Sequence, residues 1–140
     1  MAKNKIRVPL NGERFYDIQV YNNQKVVHIN KLYDKGMIVD VKASKQALQN
    51  LSMEGYILYS HLMLNMPGWL EALSKKRLLD ITPLTNRTYD KAIEELIDKE
   101  YLIKGHHKDY SHYYEFYEVP MSDFEEEKRC RNVMVSKNEV

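Results

Sequence analysis

The chain has 140 residues, of which 44% are hydrophobic and 29% are charged, a composition typical of a folded domain rather than of a disordered segment. The formal net charge of +1 provides no general attraction to nucleic acid, so any such affinity must come from a local cluster of charge. The single cysteine, Cys130, excludes an intrachain disulfide, and no stretch has the length and apolarity of a signal peptide or a membrane helix, so a cytoplasmic protein without membrane contact is expected.

The first thirty residues have the pattern of short strands joined by tight turns. The segments "KIRVPL", "ERFYDIQVY" and "QKVVHIN" are separated by Asn11-Gly12 and by Asn22-Asn23, which are residue pairs that favour two-residue hairpin turns. This pattern predicts a three-stranded antiparallel β-meander over residues 5–30. We expect it to form an N-terminal appendage, residues 1–35, that packs on another part of the molecule.

Three helix starts follow in the middle of the chain. Ser52, Ser74 and Thr85 each precede a run with helical periodicity, which is the position of an N-cap. The first helix is expected to end at Asn65-Met66-Pro67-Gly68, and "GWLEAL" after it is expected to be extended or a short strand. In the third helix one apolar face is predicted, formed by Tyr89, Ala92, Ile93, Leu96 and Ile97.

The last third of the chain predicts a β-hairpin and then a charged tail. "EYLIK" and "HYYEFYEV" are rich in aromatic and β-branched residues, and the polar stretch "GHHKDYS" lies between them as a turn. Ser122 is expected to cap a helix over "DFEEEKRCR", where acids and bases are spaced as favourable i,i+4 pairs. Residues 121–140 therefore predict a charged tail that is partly helical.

The charges of the third helix run against its macrodipole. A helix favours acids at its N-terminus and bases at its C-terminus, by roughly 0.3–1 kcal/mol per group. Residues 74–91 instead hold five bases and two acids, whereas residues 94–100 hold four acids and one base. The chain is nearly neutral overall, but this segment has a basic end and an acidic end, and the basic end is suited to binding phosphate.

The order of helix, short strand, helix, turn, helix and hairpin is that of a winged helix-turn-helix. "LTNRTYDKAIEELIDKEYLI" resembles the recognition helix and first wing strand of bacterial winged-helix proteins, except that Glu100 replaces the usual glycine before the aromatic residue. "LSMEGYILYSHLMLNM" resembles the first helix of one subgroup, the winged-helix domains of phage and plasmid replication initiators and regulators of Gram-positive bacteria. The expected fold is therefore α+β, with a winged helix-turn-helix at residues 36–120 between the N-terminal meander and the C-terminal tail.

The resemblance implies sequence-specific binding to double-stranded DNA, by a transcription regulator or by a replication-origin binder of a bacterium or mobile element. In such a fold the N-terminal part of the second helix of the motif enters the major groove. The expected contacts come from the residues outside its apolar face, from the start of the preceding helix and from the wing tip. They are Lys75, Lys76, Arg77, Thr85, Asn86, Arg87, Thr88, Asp90, Lys91, Lys104, His106, His107 and Lys108.

Within this set, Arg87 would pair with guanine and Asn86 with adenine, and Asp90 would accept from cytosine or orient a neighbouring base. The three cations that open the preceding helix would lie near phosphates. An enzyme is not expected, because no phosphate-binding glycine loop and no catalytic constellation can be assembled. The histidines lack partners at metal-ligand spacing, so neither a metal nor a cofactor is expected. A homodimer is expected, and the meander or the tail would provide a protein-binding surface. The alternative is a winged-helix assembly module, of the replisome-adaptor type, with little DNA affinity of its own.

Overall fold

The computed structural model of the chain describes residues 2–11, 14–21, 24–33, 40–65 and 67–138, with side-chain surroundings for 24–33, 40–65 and 67–130. Within these ranges the protein is α+β. Its helices are α1 (Val41–Asn50), α2 (Met53–Met63), α3 (Lys75–Ile81), α4 (Asn86–Asp98) and α5 (Met121–Asn138). Its strands are β1 (Ala2–Asn11), β2 (Arg14–Tyr21), β3 (Lys25–Asn30), β4 (Leu70–Leu73), β5 (Leu102–Lys104) and β6 (His112–Tyr117).

The strands form two sheets. β1 and β2 pair with each other in an antiparallel ribbon, and β1 passes close to β4. The other four strands lie in the order β4-β3-β6-β5, where β3 is antiparallel to β4 and parallel to β6, and β5 is antiparallel to β6. The predicted hairpin of β5 and β6 is therefore confirmed, and it forms one side of a mixed sheet.

The predicted three-stranded meander is wrong. β1 and β2 do form a hairpin, although residue 12 of the first predicted turn and both residues of the second, 22 and 23, lie outside the described residues. β3 does not continue that hairpin, because it is an interior strand of the four-stranded sheet. Val26, Val27 and Ile29 are fully buried, which requires cover on both faces, as for an interior strand rather than a half-exposed meander strand.

The predicted N-caps of α2, α3 and α4 are confirmed. The side chains of Ser52, Ser74 and Thr85 accept hydrogen bonds from backbone amides in the first turns of α2, α3 and α4. These bonds satisfy amides that a helix leaves unpaired at its start. The buried face of α4 is formed by Tyr89, Ala92, Ile93 and Leu96, whereas Ile97, predicted on that face, is 37% exposed.

The main core lies between one face of the four-stranded sheet and the helices α2 and α4. Tyr59 of α2 is fully buried there, its ring is 5.4 Å from that of Tyr101, and its hydroxyl donates to the carbonyl oxygen of Glu118 over 2.7 Å. A buried tyrosine needs such a partner, because an unpaired hydroxyl would be costly to desolvate. These contacts fix α2 and α4 relative to the hairpin, and α3 packs on α4 through Leu78.

The tail begins differently from the prediction. α5 starts at Met121, so Ser122 lies inside its first turn and is not the N-cap. The backbone amide of Ser122 instead donates to the Glu100 carboxylate over 3.2 Å. Phe124 is buried against Tyr117, with 4.9 Å between the ring centroids, so the first turns of α5 pack on the domain. Residues 139 and 140 of the predicted tail lie outside the described residues.

Candidate nucleic-acid interface

The start of α4 is fixed by a reciprocal cap between two threonines. The Thr85 hydroxyl accepts from the Thr88 amide over 3.3 Å, and the Thr88 hydroxyl accepts from the Thr85 amide over 2.7 Å. Leu84, immediately before the cap, is buried and ties the α3–α4 turn to the core. Thr85 and Thr88, both predicted as DNA contacts, therefore have a structural role, in which each hydroxyl satisfies an amide at the helix start.

Asn86, Arg87 and Lys91 lie on the exposed side of α4, opposite its buried face. Among the side chains that the structure describes, neither Arg87 nor Lys91 forms an ion pair. The two cations are one helical turn apart, an arrangement of like charges that costs a few tenths of a kcal/mol in an isolated helix. The predicted contact residues at this end of α4 are therefore accessible to an external anion.

α3 brings two further cations next to this end of α4. Lys76 and Arg77 are exposed in its first turn, just after the Ser74 cap, and neither has an acidic partner among the described side chains. Long basic side chains at a helix start are unfavourable for the dipole of that helix. A compensating anion would have to come from outside the described part of the protein.

Lys75 behaves differently from its neighbours in α3. Its ammonium group lies 3.1 Å and 3.3 Å from the two carboxylate oxygens of Asp90, and 5.4 Å from the centroid of the Tyr89 ring. Burial, with the nearby charge of Asp90, raises the pKa of Tyr89 to about 12. Lys75 and Asp90, both predicted to contact DNA, are thus bonded to each other and connect α3 to α4.

A groove beside this ion pair contains a basic residue that the sequence analysis missed. The groove has a volume of about 480 Å³ and is lined by Gln24, Lys25, Leu73, Ser74, Lys75, Tyr89 and Asp90. Lys25 reaches it because β3 pairs with β4, so that Lys25 lies opposite Leu73 in the ladder. The strand pattern alone could not reveal this neighbourhood, because it assigned β3 to a different sheet.

The tip of the β5–β6 hairpin, which was predicted as a wing tip, is only partly available for contacts. The His107 ring packs against Tyr110 and Tyr113, at 4.7 Å and 5.1 Å between ring centroids, and its Nδ1 accepts from the Asp109 amide over 3.0 Å. Gly105 lets the chain pass over Tyr113, since a Cβ there would lie 2.9 Å from that ring. The other predicted wing residues, Lys104, His106 and Lys108, are exposed.

The acidic end of α4 is bonded within the protein. The carboxylate of Glu95 accepts from the Ser52 amide over 2.8 Å and from the Ser52 hydroxyl over 2.5 Å, at the N-terminus of α2. Lys99 donates to the same carboxylate over 3.2 Å and also to the carbonyl oxygen of Asn50. Glu95 is misplaced for the dipole of its own helix, but it lies where the dipole of α2 favours an anion.

This capping contact has a measurable electrostatic consequence and a steric requirement. Burial, the largest contribution, would raise the pKa of Glu95, but the hydrogen bonds from Ser52 and the charge of Lys99 together hold it below its ordinary value. A Cβ on Gly55 would lie 2.2 Å from Glu95 Oε1, so the carboxylate can approach α2 only because residue 55 is glycine.

Lys31 occupies the other end of α2, where its ammonium group donates to the Met63 carbonyl oxygen over 2.8 Å.

Glu100 closes the acidic end of α4. Its φ of 67° is the left-handed conformation that glycine most often adopts just after a helix, so Glu100 ends α4 in the conformation of a glycine. The Tyr101 amide donates to the Leu96 carbonyl and the Glu100 amide to the Ile97 carbonyl, the bond pattern of a Schellman motif. The Glu100 side chain also accepts from the Ser122 amide, at the start of α5.

No family model matches the chain, and neither the curated proteins nor the solved structures include a significant match to it. Across the described ranges, no helix combines the length and the apolar content that crossing a lipid bilayer requires. In the same ranges, no cluster of three or more histidine, cysteine, aspartate or glutamate side chains is arranged to hold a metal ion.

Proposed function

We propose that the chain is a sequence-specific double-stranded DNA-binding protein, whose α4 enters the major groove with its N-terminal end. One observation carries this proposal: exposed cations without an ion pair among the described side chains are concentrated at the starts of α3 and α4. They are Lys76, Arg77, Arg87 and Lys91. The acids Glu95 and Glu100 at the other end of α4 are bonded within the protein, so they do not neutralise these cations.

The element order supports a winged helix-turn-helix as the framework of this contact. α2, β4, α3, α4, β5 and β6 follow one another in the order of that fold, with the β5–β6 hairpin in the position of the wing. β3 is an additional strand between β4 and β6. The wing would bring the exposed Lys104 and Lys108 to the backbone or the minor groove beside the site of α4.

Separate roles follow from the chemistry of the exposed residues. Arg87 carries a planar donor pair that suits the O6 and N7 atoms of guanine, and Asn86 has the donor and acceptor that adenine requires. Lys76, Arg77 and Lys91 would bind phosphates, which position the protein without reading sequence. A transcription regulator and a replication-origin binder of a bacterium, phage or plasmid would both need this same set of contacts.

Assembly through a symmetric dimer stays a prediction. Two copies of one reading helix would recognise two half-sites spaced by about one turn of DNA. Sedimentation equilibrium of the DNA-free protein measures the mass directly, and a monomer would contradict this part of the proposal.

Arg87→Ala tests the DNA-binding proposal with a matched control. A selection of genomic fragments with the purified protein would first provide a duplex, and fluorescence anisotropy would then measure affinity. We expect Arg87→Ala to weaken specific binding by about 1–3 kcal/mol, because a bidentate base contact is lost, with the melting temperature unchanged. Arg129→Ala, which removes an exposed arginine from α5, should leave affinity within about twofold.

Equal affinities of Arg87→Ala and the parent protein for the selected duplex would contradict the assignment of Arg87. Absence of salt-dependent binding to any duplex would instead favour the assembly module, because phosphate contacts always weaken as salt rises.

A further inference from the structure

The ion pair of Lys75 and Asp90 lies beside the proposed DNA contact but is not explained by it. Asp90 is exposed on α4 between Arg87 and Lys91, and both of its oxygens lie within 3.3 Å of the Lys75 ammonium group. The side chain of Lys75 is 38% exposed, so solvent and ions reach the pair. An exposed pair of this kind contributes little to stability, so an external anion can compete for Lys75.

The groove that contains this pair is basic on two sides. Lys25, from the start of β3, lines it together with Lys75, Tyr89 and Asp90. Among the described side chains Lys25 has no ion pair, so Asp90 neutralises only one of the two lysines, Lys75. The Tyr89 ring beneath Lys75 keeps the ammonium group at the groove wall through a cation–π contact.

We propose that this groove is a binding site for a backbone phosphate of bound DNA, which Lys25 and Lys75 would hold. In the absence of DNA, the Asp90 carboxylate pairs with Lys75 until the phosphate displaces it. This inference rests on the proposed function and extends its contact surface to β3. The Asp90 carboxylate places two oxygens that share one negative charge on Lys75, and the two non-bridging oxygens of a backbone phosphate would present the same chemistry while also reaching Lys25. Asp90 would thus lower affinity for any duplex by keeping one cation neutralised.

Two substitutions separate the parts of this proposal. Lys25→Gln should weaken binding to a mixed-sequence duplex and reduce the slope of log K against log salt by about one unit, because one phosphate contact is lost. Lys42→Gln, on the exposed side of α1, is the matched control and should leave the slope unchanged. Asp90→Asn should strengthen binding several-fold, because Lys75 becomes available to phosphate.

Asp98→Asn removes the same charge from the other end of α4 and controls for the change in net charge. In a Lys75→Gln background, Asp90→Asn should lose its effect. Anisotropy titrations across a salt series, with thermal melting of each variant, measure all of these quantities.

The possible outcomes are distinct. A parent protein that binds no duplex would overturn the proposed function, and this inference with it. If the parent protein binds DNA but Lys25→Gln and Lys42→Gln have the same affinity and salt slope, only the phosphate-binding site would be overturned. An Asp90→Asn effect that equals that of Asp98→Asn, or that persists in the Lys75→Gln background, would show that Asp90 does not act by holding Lys75.

Discussion

The two halves of α4 have opposite relations to the rest of the molecule. In the N-terminal half, Arg87 and Lys91 are exposed cations without an ion pair among the described side chains. In the C-terminal half, Glu95 caps α2 and Glu100 caps the start of α5. Glu95 and Glu100 therefore stabilise the fold, whereas Arg87 and Lys91 are left for an external anion.

This division explains why the sequence tolerates charges that oppose the dipole of α4. The sequence alone suggests that the acids merely mark the end of the helix that faces away from DNA. The structure gives Glu95 a stronger reason to be acidic, because the amide and hydroxyl of Ser52 both donate to it. Since Glu95 is engaged by Ser52 and Lys99, it is not the partner of Lys91, although the two residues are four positions apart.

Gly55→Ala, in α2 against the Glu95 carboxylate, should have the largest effect on stability. The new methyl group would displace the Glu95 carboxylate, and the lost charge-assisted hydrogen bonds should outweigh the roughly 1 kcal/mol that alanine adds to helix propensity. We expect a net loss of about 1–3 kcal/mol in the free energy of unfolding, measured by denaturant titration. In a Glu95→Ala background the same substitution should become stabilising, and a loss there as large as in the parent protein would contradict the steric account.

Glu95→Gln should have a smaller effect that depends on pH. The folded protein holds the pKa of Glu95 below its ordinary value of 4.5. The ionised carboxylate therefore stabilises the fold at higher pH, and this stabilisation is lost as the pH falls through the folded-state pKa. At pH 7 we expect the variant to be less stable than the parent protein by about 1 kcal/mol, with the difference shrinking below about pH 4.5. Melting temperatures of both proteins over that range check the sign, and a difference that grows on acidification would contradict it.

Glu100→Gly should change global stability least. Glycine would remove roughly 1 kcal/mol of left-handed backbone strain, but it would also remove the side-chain cap on Ser122, which contributes a similar amount. We therefore expect unfolding free energies that agree within about 0.5 kcal/mol, together with faster hydrogen exchange at the amides that begin α5. Unchanged exchange at Ser122 would show that the carboxylate does not stabilise α5.

Local signals in the sequence predicted the helices well because capping depends on neighbouring residues. Ser52, Ser74 and Thr85 could be recognised as N-caps since the amides they bind are three residues away. The apolar face of α4 was equally readable, apart from Ile97 at its edge. The exposed positions of Arg87 and Lys91 follow directly from that face.

Predictions from the sequence were wrong or incomplete where partners lie far apart in the chain. The Asn22-Asn23 turn signal suggested that β3 continues a meander, but both edges of β3 are paired within the other sheet, with β4 and with β6, and the β3–β6 register joins Val27 to Tyr114. That error also hid Lys25 from the candidate site. The ion pair of Lys75 with Asp90 depends on the packing of α3 on α4, which no local pattern specifies.

The most direct test of the central claim compares Lys91→Gln with Glu95→Gln in one set of measurements. Fluorescence anisotropy across a salt series gives affinity and salt slope, and thermal melting gives stability. We expect Lys91→Gln to lower affinity and flatten the slope by about one unit without changing the melting temperature. Glu95→Gln should lower the melting temperature and keep affinity within about twofold, because its carboxylate is engaged by Ser52 and Lys99 and lies roughly 12 Å from Arg87 along the helix. A larger change in binding for Glu95→Gln than for Lys91→Gln would contradict the division of α4 into a DNA-binding half and a structural half.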